Sequence, residues 1–394
     1  MRVLLVAATT GYQTRAFSEV AQKMGCELVL ATDRCHVLDD PWGDDAVALR
    51  FDEPGEGLES GIASIRARGP FDGIAAVGDR PSYVAALAAE RLGLPFSPPA
   101  AVLAAKNKFL SRQKFREEQL LTPGYELVDS VKTVRYPCVL KPLGLSGSRG
   151  VIRANDAAEF AAAFARVKSI AAEPSVLVED FIPGHEYALE GIVTNGRLQT
   201  LALFDKPDPL DGPFFEETIY VTVPMQAAIA ETAQRAVTAL GLTQGPIHAE
   251  MRVHEAGVWM LEVAARPIGG LCSRVLRFVD GKSLEEVILR HAVGEDTGEV
   301  SLESGAHAVM MIPIPRAGIY IGASGIEDAG TVEGIEDIVV TAKQGQEMLP
   351  LPEGASYLGF IFARAETPQC AVQALRKAHA RLRFEFAGKL PVVK

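Results

Sequence analysis

Residues 138–150 read Cys-Val-Leu-Lys-Pro-Leu-Gly-Leu-Ser-Gly-Ser-Arg-Gly and restrict the fold more than any other stretch. A short apolar strand ends in Lys141 and Pro142. A loop follows with Gly144, Gly147 and Gly150, joined by Ser146, Ser148 and Arg149, before a strand resumes at Val151. Small residues let a backbone approach a bulky anion, and successive N–H groups form a concavity that holds one. Lysine adds a point charge for phosphate and Arg149 a fork of donors. No Gly-Lys-Ser/Thr opens a helix here, so the segment is not a Walker A loop. A glycine-rich hairpin with a solvated lysine has the same composition, and the rest of the chain must decide.

With 394 residues and 48% hydrophobic content, the chain can bury large cores and divides into two to four domains. A net charge of −11 argues against a nucleic-acid partner, which needs a basic face. No apolar run approaches the ~20 residues of a membrane span, so no membrane partner is expected. The start, Met-Arg-Val-Leu-Leu-Val-Ala-Ala, reads as a buried first strand and not as a signal peptide. The five cysteines (Cys26, Cys35, Cys138, Cys272, Cys370) show no Cys-x-x-Cys pair. That pattern fits reduced thiols and a cytoplasmic location, and argues against zinc. Cys138 and Cys370 read as small buried hydrophobes.

The element pattern predicts a multidomain chain, part α/β and part α+β. Residues 1–100 alternate strand and helix as a parallel βαβ unit, with strands at 3–7, 27–31 and 73–77 and helices at 13–24 and 82–92. The turn Ala-Thr-Thr-Gly-Tyr at 8–12 lacks Gly-x-Gly-x-x-Gly, so no NAD site is expected. Pro95, Pro98 and Pro99 mark a boundary. A second domain, 101–302, opens with one helix at 100–120 carrying Lys106, Lys108, Arg112, Lys114 and Arg116, and includes a lid around 125–180. It continues through strands at 186–193, 198–204, 247–253 and 257–263 and helices at 225–240 and 283–292. From 303 to 394, apolar stretches at 307–314, 336–340 and 356–365 and a helix at 369–382 predict a small α+β domain.

Two further constellations carry chemistry. In Val-Leu-Val-Glu-Asp-Phe-Ile-Pro-Gly-His-Glu-Tyr, Glu179 ends a strand and Glu186 follows seven residues later. A hinge at Asp180, Phe181 and Ile182 can offer backbone groups to adenine, with Glu179 near the exocyclic amine and Glu186 accepting from ribose. Two solvated carboxylates at a strand end is the plain alternative. Further on, Glu250 and Glu262 lie on adjacent strands joined by a tight turn. Strand neighbours are ~4.8 Å apart, so two glutamates on one face can share a divalent ion. Surface carboxylates are again the alternative.

Taken together, residues 100–300 resemble the ATP-grasp superfamily of carboxylate–amine ligases. The resemblance implies ATP and Mg²⁺, with Mn²⁺ as a substitute. It implies Lys108 and Lys141 as phosphate lysines, and Gly144, Ser146, Gly147, Ser148 and Gly150 as the lid loop over the phosphates. Glu179, Asp180, Phe181, Ile182 and Glu186 match adenosine contacts. Glu250 and Glu262 match the metal ligands, and Arg266 the arginine that holds the transferred phosphoryl group. Many members carry Asn two residues after the second glutamate, where this chain has Ala264, and water can replace that ligand. Glu-Val-Ala-Ala-Arg-Pro-x-Gly-Gly, the segment 205–218 and the C-terminal region resemble bacterial L-amino acid (dipeptide) ligases.

The expected reaction is amide formation through an acyl phosphate, with release of ADP and phosphate. Gly269 and Gly270 would let backbone approach that intermediate. Arg274 reads equally as a bidentate grip on a substrate carboxylate or as a surface arginine. Lys206 reads as a phosphate or substrate contact or as a solvated lysine. His248 and His185 read as substrate contacts, as bases or as packing residues, and Phe214 and Phe215 as a pocket cap or as core. The same fold acting on a non-amino-acid carboxylate, and a non-catalytic nucleotide-binding protein, are the alternative functions. No Met-Lys-Met biotin-carrier motif is present. Small-molecule substrates are the expected partners. Such ligases often form a homodimer, which this sequence leaves open.

Overall fold

The structure is a computed structural model that describes residues 1–8, 12–33, 46–49, 51, 56–171 and 173–388. The turn residues 9–11 and Cys35 lie outside the described residues. Strand β1 (Arg2–Ala7), helix α1 (Tyr12–Lys23), β2 (Glu27–Thr32), β3 (Ala46–Ala48), α2 (Glu56–Arg68), β4 (Gly73–Val77) and α3 (Asp79–Leu92) build the first unit. Its four parallel strands run in the order β3-β2-β1-β4. They read as continuous apolar runs because both faces are covered. Leu4, Val6, Ile74 and Ala76 face one core, while Val3, Leu5, Ala75 and Val77 join the core of the next unit.

The expected single helix at 100–120 is two helices, α4 (Pro99–Lys106) and α5 (Lys108–Glu117). Asn107 divides them: its backbone is extended, and its side chain accepts from the N–H groups of Phe109 and Leu110 at 3.0 and 3.1 Å. Such a cap starts a new helix. Lys108 is thereby the first residue of α5 and points inward. The lid follows as β5 (Tyr125–Val128), β6 (Cys138–Lys141), β7 (Ile152–Ala154), α6 (Ala157–Ile170) and β8 (Val176–Asp180), an antiparallel sheet in the order β5-β8-β6-β7. Phe160, Ala163, Phe164 and Val167 bind α6 to it.

The largest sheet has eight strands and combines β9 (His185–Thr194), β10 (Arg197–Lys206), β11 (Ile219–Val223), β12 (Gln244–His254) and β13 (Gly257–Ala264) with later strands. Helices α7 (Ala227–Leu240) and α8 (Leu284–Ala292) pack on it. After them come β14 (Ala306–Ile312), β15 (Gly318–Ser324), α9 (Ile326–Gly330), β16 (Ile335–Val340), β17 (Glu347–Met348), β18 (Gly359–Ala365), α10 (Pro368–Arg381) and β19 (Arg383–Ala387). The order is β13-β12-β9-β10-β11-β14-β18-β16, so β14, β18 and β16 extend the same sheet across the boundary expected at 303. The C-terminal segment is therefore a lateral extension of the central sheet, plus a small sheet β17-β15-β19.

Alternation gives this sheet two distinct faces. One packs on α4, α5 and α7 through Leu189, Leu203, Ala249 and Met251, and on α10 through Val221, Ala308 and Ile361. The other carries the site. Cys26, Cys138 and Cys272 are buried free thiols, but Cys370 near the start of α10 is exposed, against expectation. Among the described residues, no helix is long and apolar enough to cross a membrane.

Candidate active site

Glu186 and Glu190 on β9, Lys206 at the end of β10, Tyr220 on β11 and His248, Glu250 and Arg252 on β12 share the second face of the sheet. Register makes Glu250 the direct partner of Glu262 on β13. A bulge between Glu250 and Met251 creates that pairing. Met251 opposes Met260, so Leu261 is the extra residue, and the strand shifts phase between Met260 and Val263, both in the core. Without the bulge Glu262 would share the core side with Met260.

Lys206 is the hub of the face. Only 3% of it is exposed, and its Nζ reaches Glu186, Glu217 and Glu250 at 2.9, 2.6 and 2.6 Å, with the Tyr220 ring 5.1 Å away. It is not a solvated lysine. Burial opposes its charge, but the three carboxylates hold its pKa well above the lysine range. Carboxylate oxygens of Glu186, Glu217 and Glu250 lie within 4.8 Å of one another. Burial and the Glu250 charge push Glu217 up to about 7. His248 donates from Nδ1 to Glu190 and lies 3.4 Å from Glu250 through Nε2. Burial alone would lower its pKa; Glu190 and Glu250 raise it to about 9. That imidazole is charged at neutral pH and is a poor base. His185 is exposed and paired with Asp205.

Lys108 and Lys141 approach from outside the sheet. Lys108 Nζ donates to the Leu145 carbonyl at 2.7 Å and pairs with Glu262 at 3.2 Å. Lys141 pairs with Glu179 at 2.7 Å, and Arg112 of α5, wholly buried, holds the other oxygen of Glu179 at 2.7 Å. Burial opposes ionisation of Glu179, yet the two cations pull it down to about 2. Its carboxylate is thus paired with both Arg112 and Lys141. Glu186 is likewise paired, with Lys206 at 2.9 Å and with Arg252 at 2.8 Å. At the hinge, Asp180 N–H donates to Gly124, Phe181 N–H to Pro137, and Ile182 O accepts from Arg252. Arg252 also reaches the Leu210 carbonyl and lies over Phe181 and Phe215. Phe215 is core, whereas Phe214 packs against the lid under Arg166.

The glycine-rich loop binds an internal anion. Leu143 N–H and Gly144 N–H donate to Glu173 at 2.6 and 3.1 Å. Beyond them Gly147, Ser148 and Gly150 have φ of 63°, 55° and 72°, so three residues near the apex are left-handed. The N–H groups of Gly147 and Ser148 donate to no described residue. Asp79, the first residue of α3, accepts from Arg266 Nε at 2.9 Å. Burial would raise Asp79, but Arg266, Lys108 and Ser146 bring it below its usual range. Arg266 Nη1 donates to the Pro267 carbonyl, while Nη2 donates to no described residue.

Gly269 and Gly270 follow Arg266, and Gly270 has φ of 62° with Phe360 where its Cβ would stand. Arg274 lies away from this center: it pairs with Asp337 at 2.7 Å and stacks over Phe362 at 4.4 Å, which favours the structural alternative. Asp79, Arg112, Glu190, Glu217 and Arg252 belong to the cluster but escaped the sequence reading. Glu190 had a usable signal, since period two places it on the same face as Glu186.

Comparison with known proteins follows the same division. Residues 18–96 match the ATP-grasp N-terminal domain, 134–275 the ATP-grasp domain, and 310–387 the L-amino acid ligase C-terminal domain 2. An uncharacterised protein of Sinorhizobium fredii is 24% identical over 298 residues, covering 72% of this chain and 62% of the relative. Dapdiamide A synthase of Enterobacter agglomerans is 28% identical over 200 residues, covering 46% of this chain and 47% of the synthase. The chain thus spans less than two thirds of the length of these relatives. The crystal structure of an L-amino acid ligase from Bacillus licheniformis superposes with a TM-score of 0.83 at 24% identity, covering 98% of this chain and 99% of that one. The chain thus carries ATP-grasp domains followed by the C-terminal domain 2 of the L-amino acid ligases.

Proposed function

We propose that this protein is an ATP-dependent carboxylate–amine ligase that joins an amino-acid carboxylate to an amine, most simply that of a second amino acid. The observation that carries the reading is Lys108, paired with Glu262 at 3.2 Å, and Arg266, which also feels the Glu262 charge, beside the Glu250–Glu262 pair, with Lys141 and the glycine-rich loop on the lid. Phosphoryl transfer needs mostly positioning and charge neutralisation, and these groups supply both.

The donor set fits Mg²⁺: hard carboxylate oxygens on paired strands, with Glu217 close to Glu250. Glu250 and Glu262 would hold the ion, which when bound supplies charge neutralisation at the phosphates. Ala264 offers no ligand atom.

In this reading an oxygen of the substrate carboxylate attacks the γ-phosphorus of ATP. The bond to the β–γ bridging oxygen breaks, and ADP leaves. The amine nitrogen then attacks the carbonyl carbon, the carbon–oxygen bond to phosphate breaks, and the amine loses a proton. Lys108 and Lys141 hold the phosphates, and Arg266, oriented by Asp79, uses its open Nη2 on the transferred group. The glycine-rich loop excludes water from the acyl phosphate.

ADP release is measured with Mg-ATP over a panel of amino acids, singly and in pairs, and products are weighed by mass spectrometry. A dipeptide mass from specific pairs supports the proposal. ATP binding with no ADP release from any amino acid overturns it and directs the search to other carboxylates.

A further inference from the structure

The segment 349–358, which joins β17 to β18, spans from the lid to the central sheet and is fixed at both ends. On the lid side, Gly150 N–H donates to Pro352 O at 2.9 Å, and Glu353 takes the Arg166 guanidinium at two points, 2.5 and 2.9 Å. On the sheet side, Leu358 N–H donates to Ile312 O at 3.0 Å. Between these anchors Tyr357 packs on the cluster that contains Tyr220, Ile268, Cys272 and Phe360. Its ring center lies 6.5 Å from that of Phe360. Phe360 in turn occupies the space where a Cβ on Gly270 would come within 2.9 Å. The C-terminal segment therefore supplies the wall facing the two glycines that follow Arg266.

The charged groups around the phenol are Glu217, Glu216 and Lys206, with the Cys272 thiol beside them. Burial first, and Glu217 next, hold the phenol above its ordinary range, so it stays neutral. Its hydroxyl forms no hydrogen bond with any described residue, although Lys206, Glu217 and Tyr220 nearby are all partnered. A half-buried aromatic body with an open polar tip is suited to contact a small molecule.

Resting on the ligase reading above, we propose that Tyr357 forms the wall of the pocket that receives the side chain of the amino acid held at Arg266. Its ring sets the size of side chain admitted.

The test measures kcat/KM for ADP release in wild type, Tyr357→Phe and Tyr357→Ala. The panel spans small, branched and aromatic amino acids together with plain carboxylic acids of the same sizes. Tyr357→Ala shifts the preference toward larger side chains by about tenfold or more, since small changes in pocket volume are worth roughly 10- to 200-fold. KM for ATP stays within about twofold, and Tyr357→Phe keeps the wild-type size ranking. An unchanged size preference in Tyr357→Ala with normal KM for ATP overturns the proposal. Turnover confined to the plain acids overturns the amino-acid reading while the size ratio still reports on Tyr357. If wild type turns over no acid, Tyr357→Cys is alkylated with a maleimide and position 357 is followed by peptide mass mapping. Protection by an acid with Mg-ATP supports the pocket, and labelling unaffected by every acid overturns it.

Discussion

Glu179→Gln removes one charge from a place where three charged groups share a buried site. The carboxylate is 2% exposed, and both its oxygens meet cations at 2.7 Å. Its folded pKa of about 2, against the ordinary 4.5, corresponds to about 3.4 kcal/mol at about 1.36 kcal/mol per unit. Because the folded value is depressed, that stability is present above about pH 4.5 and disappears as the pH falls toward 2. At pH 3 about 2 kcal/mol of it is already gone by the linkage relation. Removing one partner of a buried pair also strands the others, at about 3–5 kcal/mol. Urea unfolding followed by lid-sensitive fluorescence should therefore show Glu179→Gln weaker than wild type by about 3 kcal/mol at pH 7. The gap should narrow by more than half at pH 3. A gap that is absent at pH 7, or independent of pH, would refute the argument that Arg112 and Lys141 stabilise an ionised Glu179.

Three other expectations follow from the same geometry. Lys141→Ala and Glu262→Ala each lose ADP release by about a hundredfold or more while circular dichroism stays unchanged, because each removes charge from the phosphate side; normal turnover in either contradicts the assignment. Gly270→Ala costs roughly 2 kcal/mol or more in thermal or urea unfolding, since the left-handed backbone and the Phe360 ring both resist a Cβ. Arg274→Ala leaves substrate KM within about twofold and costs about 1 kcal/mol, the ordinary worth of an exposed ion pair with one aromatic contact. A large rise in KM would return Arg274 to the substrate side.

The chain itself determined the parallel first unit, because strands buried on both faces must be apolar throughout, and the antiparallel adjacency of the two strands that carry Glu250 and Glu262, because a two-residue turn fixes an antiparallel neighbour. It also determined the glycine-rich loop, whose left-handed apex needs small residues. Tertiary structure alone decided the rest. The break at Asn107 turned Lys108 inward, and the bulge at Leu261 moved Glu262 to the face of Glu250; both are one-residue phase changes that a periodic pattern does not record. The partners Asp79, Arg112 and Glu217 are separated in sequence from the groups they charge or orient, so no local spacing announces them. Arg274 and Lys206 show the same principle in opposite directions: one arginine went to Asp337 and Phe362, and one loop lysine became the hub of three carboxylates. A charged side chain's role depends on which opposite charges the fold buries beside it, and that is a property of the sheet face and not of the chain.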